Sequence, residues 1–283
     1  MSHQEMKLRL MTLQDIPAGM RLKEIAGWNQ MPADWERFLN ASPDACFIAE
    51  CEGRVVGTVT TISYEDRFSW IGMVLVDPDF RGRGIGTRLL EKAISHLDAR
   101  GIPTLKLDAT PQGKPIYEKL GFVSEYEIER WALRRAAGCA PTAEPAVEDL
   151  TTILALDHQV FGASRGDLLR SLANCAPQFV CVARHGTEIL GYAFGRRGSL
   201  ADHLGPWIAQ DESAVGDLLE TFLRRSHRDT VFVDCLQSNP WARSLLRAHG
   251  FGLSRPLTRM FRGPNAHPGR PSLVCAALGP EFG

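Results

Sequence analysis

The feature that most constrains this chain is an apolar strand, a glycine-rich loop and an amphipathic helix in direct succession over residues 70–97. The loop reads, in order, Arg81, Gly82, Arg83, Gly84, Ile85 and Gly86. Glycines let backbone N–H groups point at a ligand without a side chain in the way, and a helix N-terminus adds positive potential. Since Arg81 and Arg83 add full charges, the loop predicts a binding site for a phosphate or pyrophosphate.

Two other interpretations of the glycine loop stay open. It could be an ordinary strand–helix turn, or a nicotinamide-binding unit in which Asp108, at the end of the next strand, contacts a ribose. The G-x-G-x-G spacing and the hairpin before the strand disfavour the nicotinamide unit, whose spacing is G-x-G-x-x-G. A P-loop that binds a nucleoside triphosphate is excluded, because the glycines are not followed by Gly-Lys-Ser/Thr.

Composition narrows the possible partners. The 283 residues are enough for two domains, and a hydrophobic fraction of 44% is typical of globular proteins. A formal charge of −1 gives no basic excess, so we expect neither nucleic acid nor a membrane as partner. The eight histidines form no H-x-x-H or H-x-x-x-H pair, and we expect no metal site. The polar start of the chain favours a cytoplasmic protein.

Hydrophobic periodicity predicts an α/β protein with a mixed sheet and helices on both faces. The first half reads β-α-α-β-β-β-α-β-α-β, and the same order of elements returns in the second half. Between them the chain loses periodicity and becomes rich in Arg, Ala, Gly and Pro. We therefore expect a first domain at 1–134, a linker at 135–145 and a second domain at 146–283.

The two halves align without gaps around their last helix, where residues 107–122 match residues 236–251 in Leu, Pro, Gly and Phe. The two copies differ at the predicted anion-binding loop and at the position of Tyr117. The second copy lacks the Arg-Gly-x-Gly loop, and Leu246 stands where the first has Tyr117. The sequence therefore predicts one anion site per chain and a second domain that shapes the pocket of the first.

The loop, together with the segment Ile116-Tyr117-Glu118-Lys119-Leu120-Gly121-Phe122, resembles the GNAT superfamily of acyl-CoA-dependent N-acyltransferases. The resemblance covers roughly residues 7–133, and the second half is similar to the degenerate C-terminal domain of tandem GNAT proteins. It implies two tandem GNAT-like domains with a mixed sheet. It also implies transfer of an acetyl group from acetyl-CoA to a primary amine of a small molecule.

The resemblance further implies roles for individual residues. Tyr117 would protonate the departing thiolate. Thr110 stands where family members often carry Asn, seven residues before that tyrosine. The residues expected to hold acetyl-CoA are Val74, Leu75, Val76, Arg81, Gly82, Arg83, Gly84, Ile85, Gly86, Thr87 and Thr110.

The general base and the acceptor pocket are less constrained. An amine can attack the thioester directly, so side chains need only position the reactants and move protons. The sequence does not identify the base: Asp108 is a candidate catalytic residue, and Glu65, Asp66 and water chains are equal alternatives. The residues expected to contact the acceptor are Trp28, Asn29, Asp157 and Arg165, for which core packing or a local salt bridge is the alternative. The length of the acyl group stays open.

Two points concern the chain as a whole. The sequence is compatible with a monomer or a homodimer. A non-catalytic acyl-CoA sensor or interaction module is the alternative to an enzyme, because the base is not identified and Thr110 replaces Asn.

Overall fold

Strands and helices alternate twice along the chain, as the hydrophobic periodicity predicts. The structure is a computed structural model that describes residues 6–136 and 150–283. In the first half the strands are β1 Met6–Leu10, β2 Phe47–Cys51, β3 Arg54–Tyr64, β4 Phe68–Val76, β5 Leu105–Ala109 and β6 Val123–Arg134. The helices are α1 Ile16–Ile25, α2 Pro32–Ala41, α3 Ile85–Ala99 and α4 Lys114–Lys119.

The second half repeats this order. Its strands are β7 Cys181–His185, β8 Glu188–Arg197, β9 Asp202–Ala209, β10 Thr230–Leu236 and β11 Gly252–Arg262. Its helices are α5 Leu150–Phe161, α6 Gly166–Cys175, α7 Glu212–Arg225 and α8 Pro240–Ala248. A further strand, β12 Val274–Ala276, has no counterpart in the predicted order of elements.

All twelve described strands join one mixed sheet in the order β1-β2-β3-β4-β5-β11-β6-β10-β12-β9-β8-β7. The two halves exchange strands at its centre. Strand β11 of the second half lies between β5 and β6 and pairs antiparallel with both. In return, β6 of the first half pairs antiparallel with β10 over seven residues, from Thr230 opposite Arg134 to Leu236 opposite Ile128.

Helices cover both faces of the sheet. On one face, α3 packs its buried side chains, among them Leu89 and Leu97, against Ile71 of β4 and Leu107 of β5. On the opposite face, which we call the inner face, α1 and α2 from the first half share an apolar cluster with α5 and α6 from the second. The mixed α/β fold with two related halves is confirmed.

The division into domains stays a prediction, and most of the predicted linker lies outside the described residues. The pairing of β6 and β11 nevertheless shows that main-chain hydrogen bonds cross between residues 1–134 and 146–283 at the centre of the sheet. In the described part of the chain, no helix is both long and apolar enough to cross a membrane.

Candidate active site

A wedge opens between β4 and β5. These parallel strands pair only where Ser69 faces Leu105 and Trp70 faces Lys106. Farther along, Met73 has a left-handed φ of 50° at an irregularity in the β3–β4 register, and its carbonyl accepts a 2.7 Å hydrogen bond from Thr58 Oγ1. We call the gap between residues 71–76 and 107–110 the donor wedge, because it leaves one edge of β4 open to an extended ligand.

Residues 74–76 line this open edge. Leu75 and Val76 pair with β3 on their other side, opposite Thr58 and Gly57. Toward β5 they have no strand partner within the described residues. The main chain of this segment can therefore form hydrogen bonds with the amide groups of a ligand in the wedge, as a neighbouring strand would.

The glycine loop follows β4 at the mouth of the wedge. Gly82 and Gly84 both have a φ of 74°, a conformation that other residues rarely adopt, and Gly84 forms the N-cap of α3 without a side-chain hydrogen bond. Residues 81–84 are exposed. The first-turn N–H groups of α3 therefore point toward an open surface flanked by the Arg81 and Arg83 side chains, a geometry suited to an anion.

Asp77 fixes the chain where β4 ends and the loop begins. Its buried carboxylate accepts 2.7 Å hydrogen bonds from Arg21 of α1 and Arg54 of β3, and a 3.2 Å bond from the backbone N–H of Asp79. Burial alone would raise the pKa of Asp77, but these hydrogen bonds and the two positive charges outweigh it and hold the pKa below its usual range. Asp77 is thus an ionised anchor that sequence reasoning missed.

Tyr117 has the state required of a proton donor. Burial raises its pKa to about 12, so the hydroxyl is protonated at neutral pH. That hydroxyl makes no hydrogen bond to any residue that the structure describes. The ring packs edge-on against Phe122, and a Cβ at Gly113 would lie 2.9 Å from its Cε2 atom. A glycine at position 113 is what makes room for the ring.

Thr110 lies directly after β5, at the other side of the wedge. Its Oγ1 accepts a 3.2 Å hydrogen bond from the N–H of Gly113, so the side chain stabilises the turn before α4. A threonine reaches less far than the asparagine often found in the family. The geometry leaves the predicted cofactor contact of Thr110 as a prediction.

Asp108 is held by the second half of the chain. Arg259 of β11 donates two hydrogen bonds to its carboxylate, of 2.8 and 2.9 Å, and the Asp108 side chain is only 1% exposed. Burial raises the pKa of Asp108, while the charge and hydrogen bonds of Arg259 oppose that change. Both carboxylate oxygens are therefore engaged, and this geometry supports a structural ion pair better than the predicted role as base.

The other predicted bases lie elsewhere. Glu65 is in the turn after β3, where its carboxylate is 2.9 Å from Arg67 Nε and 3.5 Å from His158 Nε2. Glu65 and Asp66 follow the end of β3, where Tyr64 pairs with Phe68 at the start of β4. The wedge lies farther along β4, at residues 71–76. Neither residue lies at the wedge.

In the second half the equivalent gap is filled. Strands β9 and β10 pair from Asp202 to Leu204 and then separate, as β4 and β5 do, but β12 lies between them. Asn239, which corresponds to Thr110, donates a 3.2 Å hydrogen bond to the carbonyl of Val274 in β12. The chain's own strand therefore occupies the position that an extended ligand would take in the second copy.

Trp28 and Asn29 lie where the halves meet. The Asn29 Oδ1 atom accepts 2.9 Å hydrogen bonds from the N–H groups of Leu200 and Ala201, and its Nδ2 donates to the Ala201 carbonyl. The Trp28 carbonyl accepts a 3.4 Å hydrogen bond from Ser199. Asn29 thus uses its amide to hold the loop before β9, so its predicted contact with an acceptor stays a prediction.

Asp157 and Arg165 form the local salt bridge that was the alternative to acceptor binding. The guanidinium donates hydrogen bonds of 2.9 to 3.3 Å to the carboxylate, which also accepts a 2.7 Å bond from Tyr192. Both side chains are buried. Arg165 still lines a groove of about 540 Å³ between α2, β3 and α6, together with Arg37 and Tyr64.

Sequence reasoning missed the segment at 277–283, which has no periodicity and no motif. It lies on the inner face of β4. Trp70 Nε1 donates a 2.9 Å hydrogen bond to the Pro280 carbonyl, Tyr64 donates a 2.7 Å bond to the Phe282 carbonyl, and the Phe282 ring stacks on Phe38 at 4.6 Å. The segment therefore forms a wall of the inner face beside the donor wedge.

Comparison with known families agrees with this geometry. The model described as "Acetyltransferase (GNAT) family" matches residues 18–122, and the model described as "Acetyltransferase (GNAT) domain" matches residues 153–274. The chain belongs to the GNAT family. It is an acetyltransferase with two GNAT domains, and members of this family use acetyl-CoA as donor.

Individual relatives are similar over different lengths. Holothin acyltransferase from a Pseudoalteromonas species is 26% identical over 240 residues, which cover 83% of this chain and 81% of the relative. An acetyltransferase from Pectobacterium atrosepticum is 35% identical over 129 residues, which cover 43% of this chain and 88% of the relative. Similarity therefore extends over both halves in the first case and over less than half of the chain in the second.

Solved structures share the fold of the whole chain. A candidate acetyltransferase from Pyrococcus horikoshii superposes with a TM-score of 0.80 at 22% identity, covering 100% of this chain and 98% of its own. A GCN5-related N-acetyltransferase from Sphaerobacter thermophilus gives a TM-score of 0.64 at 17% identity, with 93% and 96% covered. The tandem arrangement is thus a fold that solved proteins also adopt.

Proposed function

We propose that this acetyltransferase transfers an acetyl group from acetyl-CoA to the primary amine of a small molecule, by direct attack in a ternary complex. The observation that carries the proposal is the open donor wedge, with the anion-binding loop at 81–86 following one of its strands. A pyrophosphate held by the loop and an extended arm along residues 74–76 are two parts of one CoA molecule.

The chemistry then needs few side chains. The amine nitrogen forms a bond to the thioester carbonyl carbon, and the bond from that carbon to sulfur breaks. A backbone N–H of residues 74–76 stabilises the charge that develops on the carbonyl oxygen. Tyr117 gives its proton to the departing sulfur, which suits a hydroxyl whose pKa is about 12 and which has no hydrogen bond within the described residues. An acceptor that arrives as an ammonium first loses one proton to water, which frees the lone pair that attacks. After the attack nitrogen loses a second proton to water, and water returns a proton to the Tyr117 oxygen.

Three observations support one donor and a small acceptor. Strand β12 fills the gap between β9 and β10, so one donor wedge remains among the described residues. The relative that is similar over both halves is named for acylation of holothin, which supports a small molecule rather than a protein as acceptor. The second half supplies β11, α5, α6 and the 277–283 segment to the inner face, as expected for a domain that shapes an acceptor pocket.

A thiol-release assay tests the proposal. The full chain is incubated with acetyl-CoA and a panel of primary amines, and free CoA is measured over time with Tyr117→Phe as the matched variant. We expect release that depends on the amine and falls in Tyr117→Phe. A protein that binds acetyl-CoA but releases no CoA with any amine would instead be a sensor.

A further inference from the structure

Glu281 places a carboxylate on the inner face beside the donor wedge. A Cβ built on Gly72 would lie 2.8 Å from the Glu281 carbonyl oxygen and 3.3 Å from its Cβ, so the two backbones are in contact. Gly72 directly precedes Met73, where β4 turns away from β5. Glu281 is therefore next to the point where an acyl group in the wedge would lie.

The position of Glu281 is fixed by its neighbours. Pro280 and Phe282 are held through their carbonyls by Trp70 and Tyr64. Tyr64 also lines the groove of about 540 Å³ between α2, β3 and α6. Tyr64 thus contacts both this groove and the segment that carries Glu281.

The two oxygens of Glu281 differ in their environment. Arg196 of β8 donates to Oε1 and also lies 3.0 Å from Asp34. Among the described residues, Oε2 is buried and makes no hydrogen bond of normal geometry, and the same holds for Oε1 of Gln30, in the loop between α1 and α2. Both residues are at most 4% exposed. Although burial opposes ionisation, Arg196 and the Gln30 amide hold the pKa of Glu281 below its ordinary value, so the carboxylate is charged.

Two buried acceptors without donors are costly, because each has lost its water without gaining a protein partner. The two acceptors belong to Glu281 and Gln30, whose side chains interact with each other. A group that supplies two or three N–H donors and a positive charge satisfies both, and a primary ammonium is such a group.

Resting on the proposed function, we propose that Glu281 and Gln30 bind the amino group of the acceptor next to Gly72. The second half thus provides an acceptor-binding residue, and the substrate class is a cationic primary amine. A hydroxyl or thiol acceptor supplies one donor and no charge, so it leaves one of the two oxygens unsatisfied.

The test compares three variants of the full chain with methylamine, ethanolamine and tyramine as probes. In Glu281→Gln the new side-chain amide keeps its oxygen on Arg196. The NH₂ group of that amide then takes the position of Oε2, so a donor replaces an acceptor. Gln30→Met removes the other acceptor and, with it, the amide that helps to keep Glu281 ionised, but it breaks no ion pair. Asp34→Asn is the control, because it removes the second carboxylate from Arg196 and leaves both proposed acceptors in place.

We expect Glu281→Gln to raise the acceptor KM at least about tenfold, since a hydrogen bond to a charged group is lost. Gln30→Met should raise it several-fold, while the acetyl-CoA KM stays within about twofold of wild type in both. Asp34→Asn should leave the acceptor KM within about twofold. Melting curves of all three variants show whether each is folded.

The outcomes separate this inference from the proposed function. Release of CoA by the wild type with an unchanged acceptor KM in Glu281→Gln and Gln30→Met overturns the binding role alone. An equal rise in Asp34→Asn also overturns it, because the effect then belongs to the ion pairs of Arg196. If no probe releases CoA with the wild type, the proposed function fails and this inference fails with it.

Discussion

Arg259 of β11 holds Asp108 of β5 through two hydrogen bonds of 2.8 and 2.9 Å. The reciprocal pair is present in the second half, where Arg130 of β6 holds Asp234 of β10 at 2.8 and 2.7 Å. In each pair the acid lies on one half's parallel strand and the arginine on the strand that the other half contributes. The two halves are therefore joined by buried charges as well as by the sheet.

The Arg259–Asp108 pair predicts strong coupling between the halves. Arg259→Gln or Asp108→Asn should each lower the free energy of unfolding by about 3 to 5 kcal/mol, because either leaves a buried charge without its partner. The double variant should lose less than the sum of the two. Urea denaturation measures all three values. Strictly additive losses would mean that the pair does not act as a unit.

Arg81→Ala tests the anion site. Charge-assisted contacts to phosphate contribute about 1.5 to 3 kcal/mol, so the acetyl-CoA KM should rise by about one to two orders of magnitude. Steady-state kinetics and calorimetric titration with CoA measure this. Arg224→Ala, an exposed arginine on α7, is the control and should change neither value. Unchanged CoA binding in Arg81→Ala would place the pyrophosphate elsewhere.

Tyr117→Phe should lower kcat by about ten- to a hundredfold with little change in the acetyl-CoA KM, because only the proton for sulfur is lost. Gly113→Ala keeps the hydroxyl but adds a Cβ that would lie 2.9 Å from the ring. It should lower kcat as well, by displacing the hydroxyl. Normal kcat in both variants would show that Tyr117 only packs against Phe122.

Asp77→Asn should destabilise the fold by about 1 to 2 kcal/mol at neutral pH, since Arg21 and Arg54 are partly exposed and water screens their charges. The pKa of Asp77 is lowered on folding, so its contribution is complete above the unfolded-state pKa near 3.8. It disappears as the pH falls through the lower folded-state value. Urea titrations from pH 7 to pH 3 should show a constant difference between wild type and variant that begins to shrink below about pH 3.8.

Acetyl-CoA should bind with a stoichiometry of one per chain, because β12 occupies the gap in the second half. Calorimetric titration measures this directly. As a matched pair, Arg81→Ala should weaken the single binding event, while Asn239→Ala, at the equivalent position beside β12, should leave it unchanged. Two binding events would contradict the role assigned to β12.

Local sequence patterns were sufficient to predict the strand, loop and helix at residues 70–97. Glycines at positions 82 and 84 permit the left-handed φ of 74° before α3, and the apolar spacing up to Leu97 gives that helix its buried face. Such features depend on residues close in the chain, and their physical meaning does not depend on the rest of the fold. The GNAT family, the repeat and the order of elements follow from the same local signals.

The contacts between the two halves were decided by tertiary structure. Nothing in the sequence around Asp108 reveals that an arginine 151 residues later reaches its carboxylate. Likewise, residues 277–283 have no periodicity, and their place against Gly72 depends on where β12 leaves the sheet. Sequence alone determined the conformation of the loop at 81–86, the helix that carries Tyr117 and the two-half fold, because these are set by neighbours in the chain. The exchange of β6 and β11 brings Arg259 to the wedge, and the path of the 277–283 segment places Glu281 beside it. No local pattern encodes these long-range contacts, so only the tertiary structure decided them.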